Sequence, residues 1–139
     1  MRGMNVFRSV GMILLAAATI SCSSVRPRSC PPDQQAAIQE LLYFGMEKPS
    51  GQVTAEEWSG FLADTVTPRF PQGLTAWQAS GQWRSASGGI VREPSYVLSL
   101  VHPAQSESET AIREIVDAYK IRFQQETVLR VRSDVCMAL

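Results

Sequence analysis

The side chains with the widest chemical range gather in the middle of the chain: Arg69, Gln82, Arg84, Arg92 and Glu93, with the lone histidine His102 downstream. Arg69 stands between Pro68 and Pro71 in a constrained turn. A guanidinium held there could offer its fork to a carboxylate or phosphate; an ion pair with Glu93, pinning the turn to a hairpin, is the structural alternative. Glu93 and His102 would make an acid/base couple by type. They are 102 − 93 = 9 residues apart on one strand, about 30 Å if extended, so a direct pair is excluded. Tyr43, Trp77 and Trp83 could line a pocket or stack a ring, and filling a sheet face is their more ordinary use. Ser87-Gly-Gly89 lacks the lysine and the strand-to-helix setting of a phosphate loop. One histidine and 3 cysteines make no metal cluster, so neither a metal nor a cofactor is expected.

Charge narrows the partners. The 139 residues carry 13 basic and 13 acidic side chains, with no basic stripe of the kind that binds nucleic acid. At the start, Arg2 and Arg8 precede a short apolar run, Val10–Ala18, and then Thr19-Ile-Ser21 before Cys22. This resembles the lipobox of bacterial lipoprotein signal peptides, with Thr19 where leucine is usual. The resemblance implies a signal peptide over 1–21, acylation (palmitate among the chains) at Cys22, and a lipid anchor in the cell envelope. Ser23, in place of a retention aspartate, points to the periplasmic face of the outer membrane. Plain secretory cleavage, leaving Cys22 a thiol, is the alternative. The mature chain would have 13 − 2 = 11 basic against 13 acidic residues, so membrane attachment would come from lipid and not from charge. In an oxidising envelope, Cys30 and Cys136 are the natural disulfide pair, with two unpaired thiols as the alternative. Closing so long a loop is worth about 3–5 kcal/mol on the chain-entropy account.

The elements that must position these residues follow from patterning. Residues 22–36 read as a tether. Gln39–Met46 alternates as a strand, with Leu42, Phe44 and Met46 on one face and Leu41 and Tyr43 on the other. A helix over Thr54–Thr65 has a capping box, Thr54 with Glu57, and a hydrophobic staple, Val53 with Trp58. Trp58, Phe61 and Leu62 make its apolar face, and Pro68 ends it. After a turn at Phe70–Gly73 come strands Leu74–Arg84 and Ile90–His102, with Gly81 a bulge or close approach and Pro94 an edge or kink. Ser106–Gln125 is a helix, capped by Ser106 with Glu109, with a core stripe of Ile112, Ile115, Val116, Tyr119 and Phe123. Thr127–Arg132 is the last strand, with Leu129 and Val131 inward and Arg130 and Arg132 outward. The order β-α-β-β-α-β predicts one α+β domain over 37–139. Its architecture is a ferredoxin-like sandwich, a four-stranded antiparallel sheet with both helices on one face. The other face, with Leu41, Tyr43, Val97, Val101 and Val128, is too apolar to stay bare. It should meet a second copy, a ligand, or the hairpin folded over it.

Leu42-Tyr-Phe-Gly45, Trp58 and Phe61, Val66-Thr-Pro-Arg-Phe-Pro-Gln-Gly-Leu-Thr75, Gly81-Gln-Trp-Arg84, Arg92-Glu-Pro-Ser95 and Cys136 together resemble a bacterial family known as domain of unknown function 3574, often found on lipoproteins. The resemblance runs over about residues 38–138 and brings no activity with it. Two functions are therefore expected. One is a non-enzymatic binding or assembly module, a homodimer or a partner of another envelope protein through the helix-free sheet face. The other is a small enzyme for an anionic small molecule, with Arg69 holding the anion and Glu93 or Tyr43 moving a proton. Gln82, Trp83, Arg84 and Arg92 belong to the same candidate region.

Overall fold

A computed structural model describes residues 29–84 and 87–139. Residues 1–21, expected to be a signal peptide, Cys22 and the first part of the expected tether lie outside the described residues, as do residues 85 and 86.

Alternation in the first strand sets the layers. In β1 (Gln35–Gly45) the side chains of Ile38, Glu40, Leu42 and Phe44 are buried, while Gln39, Leu41 and Tyr43 are half-buried on the opposite face. The strand starts earlier than its apolar run predicts. Gln35 and Ala36, assigned to the tether, already pair with Met137 and Cys136. Two short strands, β2 (Glu47–Lys48) and β3 (Gly51–Gln52), make a small hairpin that the pattern did not show.

Helix α1 (Ala55–Phe61) begins as its sequence prescribes. The Thr54 hydroxyl accepts from Glu57 N–H at 3.2 Å, and the Glu57 carboxylate accepts from Thr54 N–H at 2.9 Å. Val53 and Trp58 are both buried in the core, as a hydrophobic staple requires. The helix does not continue as α to Thr65. Leu62–Val66 is one turn of π-helix, closed by Thr67 N–H donating to Leu62 O at 2.8 Å. The wider turn has a packing reason. Phe61 and Val66 are 66 − 61 = 5 residues apart and both fully buried, a spacing that π geometry places on one side.

Strands β4 (Thr75–Arg84) and β5 (Ile90–His102) form the long hairpin. Helix α2 (Ser106–Phe123) follows, and β6 (Leu129–Met137) ends the fold. The sheet order is β4-β5-β1-β6, with every neighbour antiparallel. Ser106 is not the α2 cap: Gln105 takes that position without a side-chain bond, and the Ser106 hydroxyl donates to Glu107. Glu109, freed from capping, is used elsewhere.

One core joins the layers. Leu42 and Phe44 of β1 and Tyr96, Leu98 and Leu100 of β5 meet Trp58 and Phe61 of α1 and Ile112, Ile115, Tyr119 and Phe123 of α2. Both helices therefore cover the same face, as a ferredoxin-like sandwich requires. Trp58 stacks on Tyr96 with ring centroids 4.5 Å apart, and Phe44 meets Tyr119 at 4.5 Å. The Tyr119 hydroxyl donates to Gly45 O at 2.8 Å, so the one polar atom of that ring is satisfied where β1 ends. Burial pushes the Tyr119 phenol well above its ordinary pKa. Cys30 and Cys136 are joined in a disulfide with Cα atoms 5.6 Å apart, which ties the start of the domain to its last strand.

Candidate functional site

Register explains why a groove forms at one end of the open face. Directly paired residues share a face. Trp77, Val97, Tyr43 and Leu129 therefore form a bulky row across all the strands of the sheet. The next row, Ala79, Ser95 and Gly45, is small. Beyond it β1 has ended, and β4 and β5 continue alone as an arm with Gly81 opposite Glu93 and Trp83 opposite Val91. Pro94 sits where β5 loses its β1 neighbour, so its missing N–H leaves no rung unmade. Gly81 keeps the register without a bulge; a Cβ there would lie 3.1 Å from Glu93 O, so it is a close-approach glycine.

The depression left by the small row is a cavity of about 580 Å³. Tyr43 and Gly45 line it from the sheet, Gln82, Trp83 and Glu93 from the arm, and Gln125 from the chain leaving α2. Glu47, Glu126 and Leu129 also line it. Gly45 makes the arrangement fit. A Cβ on it would stand 2.5 Å from Glu93 Oε1 and 3.0 Å from Gln125 Oε1. The Glu93 carboxylate leans into that space and accepts one long bond, 3.4 Å, from Glu47 N–H. Gln125 is fixed by donating to Glu47 O and to Phe123 O. Among the described residues, no lysine or arginine lines the cavity. A smaller cavity of about 290 Å³ lies on the arm, lined by Ser80, Gly81, Gln82, Arg92, Glu93 and Pro94.

The residues singled out from the sequence thus divide. Tyr43, Gln82, Trp83 and Glu93 come together in the groove. Arg92 reaches only the smaller cavity, and Arg84, paired with Ile90, lines neither. The expected Arg69–Glu93 ion pair does not form. Arg69 follows the π turn beside α2, where its Nε donates to Glu114 at 2.9 Å and its Nη1 to Thr65 O at 2.8 Å. Gly45, Glu47, Gln125 and Glu126 were not picked out. The one available signal was Gly45, a glycine ending an otherwise apolar strand.

The other polar cluster lies under the helices, and it corrects the reading of β6. Leu129 and Val131 face the open side, 59% and 41% exposed. Arg130 faces the helix layer. Its guanidinium grips the fully buried Glu40 (Nε–Oε2 2.7 Å, Nη2–Oε1 2.5 Å) and also Glu109 (2.8 and 2.7 Å). Arg132 stands 4.0 Å from Glu40 and 3.9 Å from Glu109. The Arg130 hydrogen bonds hold the Glu109 carboxyl at about 2, well below the ordinary carboxylate value. The two carboxylates in turn raise the Arg130 pKa. His102 is buried at the edge of this cluster. Its Nδ1 lies 2.8 Å from Pro103 O, and its Nε2 stands 3.8 Å from Glu40 Oε1 with no hydrogen bond. With the Glu40 and Glu109 carboxylates matched by Arg130 and Arg132, this cluster reads as structural.

The fold is similar to that of two solved structures. One is described as a phage SAM lyase in complex with S-methyl-5′-thioadenosine (15% identity, TM-score 0.52, covering 84% of this chain and 97% of that one). The other is a phage SAM lyase in the apo state (12% identity, TM-score 0.52, 81% and 96%). At these identities the likeness concerns the fold alone. No curated protein matches the sequence. Residues 39–139, from within β1 to the last residue, match the family described as "Protein of unknown function (DUF3574)", and the chain belongs to that family.

Proposed function

We propose that the protein is a lipid-anchored, non-enzymatic binding and assembly module of the bacterial envelope, and that a second copy of the chain meets its helix-free sheet face. The observation that carries this reading is the composition of that face. Trp77 (44% exposed), Val101 (41%), Leu129 and Val131 all project from it. An apolar surface of this kind, continuous across strands, is what subunit contacts use, and a two-fold contact needs only one self-complementary patch. The anchor rests on the lipobox-like segment ending in Cys22 and on a disulfide that suits an oxidising compartment. On this reading the domain sits at the outer membrane, held by lipid, with no nucleic-acid partner.

Light scattering on a soluble form beginning at residue 23 tests the assembly. A dimer or larger species is expected, and Leu129→Glu with Val131→Glu should return it to monomer. A strictly monomeric parent at tens of micromolar ends the proposal. Labelled palmitate should enter the full chain and fail to enter the Cys22→Ser variant; equal labelling of both would remove the anchor.

A second reading, a small enzyme, is favoured by the groove with Glu93 and Tyr43. Its anionic-substrate version loses support, because Arg69 is engaged with Glu114 and lines neither cavity. S-methyl-5′-thioadenosine, the compound in the phage structure, is the first molecule to titrate. Absence of binding at millimolar concentration would remove the reason for testing related chemistry.

A further inference from the structure

We propose that the groove is a binding site for an organic cation: a quaternary ammonium or sulfonium group carried on a flat or apolar body. The proposal requires neither self-association nor catalysis, and because Leu129 belongs both to the groove and to the face proposed for a second copy, a cation and a partner copy compete there.

Three glutamates line the groove, Glu47, Glu93 and Glu126, with no lysine or arginine among the described lining residues; the Glu47 carboxylate accepts from Gln52 at 2.6 Å, which leaves Glu93 and Glu126 for a ligand. The cations nearest in sequence are directed elsewhere. Lys48, next to Glu47, gives its ammonium to Glu57 at 2.5 and 2.6 Å. Arg92, next to Glu93, pairs with Gln82 at the alternate register position of the arm and lines the smaller, adjoining cavity, where no ion pair joins it to Glu93 among the described residues. Glu93 therefore holds a half-buried charge with a single long hydrogen bond from Glu47 N–H. A carboxylate so placed favours a positive partner. An anion would face the Glu93 carboxylate with no basic side chain among the described lining residues to offset it.

The type of cation follows from the remaining walls. Among the described residues no His, Cys, Asp and Glu side chains cluster as metal ligands, so a compact metal ion has no cage. Tyr43 and Trp83 instead give aromatic surface, and Gly45, Gly81 and Leu129 an uncharged floor and rim. Aromatic faces hold weakly hydrated, diffuse cations through the ring quadrupole, with the apolar part of the ligand against the ring. A cavity of about 580 Å³ matches the size of small-molecule clefts. Gln125, fixed by its own donated bonds, leaves its carbonyl oxygen beside Gly45 as a further acceptor.

The test is calorimetric titration of the full mature chain in a neutral detergent, with a detergent-only blank, using benzyltrimethylammonium, benzyl alcohol and benzoate. The cation should bind at least about tenfold more tightly than the alcohol, and benzoate should give no binding heat. Glu93→Gln should weaken the cation about tenfold and leave the alcohol unchanged. If that variant does not fold, Glu126→Gln, in the exposed segment after α2, replaces it and should produce the same selective loss. Equal affinity for cation and alcohol, an unchanged cation affinity in the folded variant, or no binding by any of the three at millimolar concentration would overturn the site. Light scattering on the detergent-free form beginning at residue 23 reports self-association separately, so failure of one proposal is distinguishable from failure of the other.

Discussion

Glu40 is fully buried in the middle of β1, and Arg130 supplies two charge-assisted bonds to it. Such a pair adds little over an apolar pair of equal volume, but half of it is costly. Arg130→Met leaves the Glu40 carboxylate without its main partner. We expect a loss of about 3 kcal/mol in denaturant unfolding, whereas the double change Glu40→Leu with Arg130→Met should recover most of that loss. Glu109 adds a pH dependence. Its carboxyl is held at about 2 in the fold against an ordinary value of 4.5. A depressed folded value contributes stability above the unfolded value and loses it as the acid form takes over. The urea midpoint of the parent should therefore fall between about pH 4.5 and pH 2, and Glu109→Gln should flatten that part of the curve. Because Glu109 is partly exposed, the effect is modest. Gly45→Ala is the opposite kind of change. The new methyl would displace the free end of the Glu93 side chain and touch the held Gln125 amide at 3.0 Å, so stability should shift by under about 1 kcal/mol while groove binding falls. At this scale the sequence was half legible. Tyr43, Gln82, Trp83 and Glu93 were singled out together. Arg130 was assigned to the wrong face because both faces of the sheet are apolar, so alternation alone could not choose between them. The missed signal was Glu40, which shares the parity of Leu42 and Phe44 and therefore needed a buried cation.

Among the elements, local rules succeeded where the deciding atoms are close in sequence. The Thr54–Glu57 capping box formed as expected, and Thr54→Ala should cost about 1 kcal/mol in thermal or urea unfolding. The π turn was not legible. It is set by the need to bring Val66 and Phe61 under α2, a contact with the rest of the fold that the α1 segment does not contain. The arm of β4 and β5 invites a direct measurement. From Gly81↔Glu93 to Arg84↔Ile90 it has, among the described residues, two strands and no third, and two-stranded ribbons are marginal in water. Amides of Gly81–Arg84 should exchange much faster than those of Tyr96–Leu100, which lie against both β1 and β4. Protection of the arm at high protein concentration or on adding a cation would report that something has covered it.

For the molecule as a whole, element order and helical faces carried the architecture: alternating strands with two amphipathic helices leave few ways to build a layered α+β domain. What they could not carry was the last strand's length. β6 runs to Met137 because Gln35–Ala37 offers a partner edge, and neither end shows that pairing alone. The disulfide then closes a separation of 106 residues. Reduction, or Cys30→Ser with Cys136→Ser, should lower unfolding stability by about 3–5 kcal/mol on the loop-entropy account, and chemical denaturation with and without reductant measures it.

The Cys30–Cys136 bridge also decides how the domain responds to being pulled. Cys136 is paired with Ala36 across the β1–β6 seam. Tension arriving along the chain from upstream of residue 30 therefore splits between the central strand and the terminal one, loading both at the same end. Drawn the same way, the two strands are not sheared against each other, and the load passes to the β1–β5 rungs on the other edge of β1. Stretched between a handle upstream of residue 30 and one fixed on α2, the oxidised domain should resist through both strands, and reduction should let β1 take the whole force and give way at a lower value.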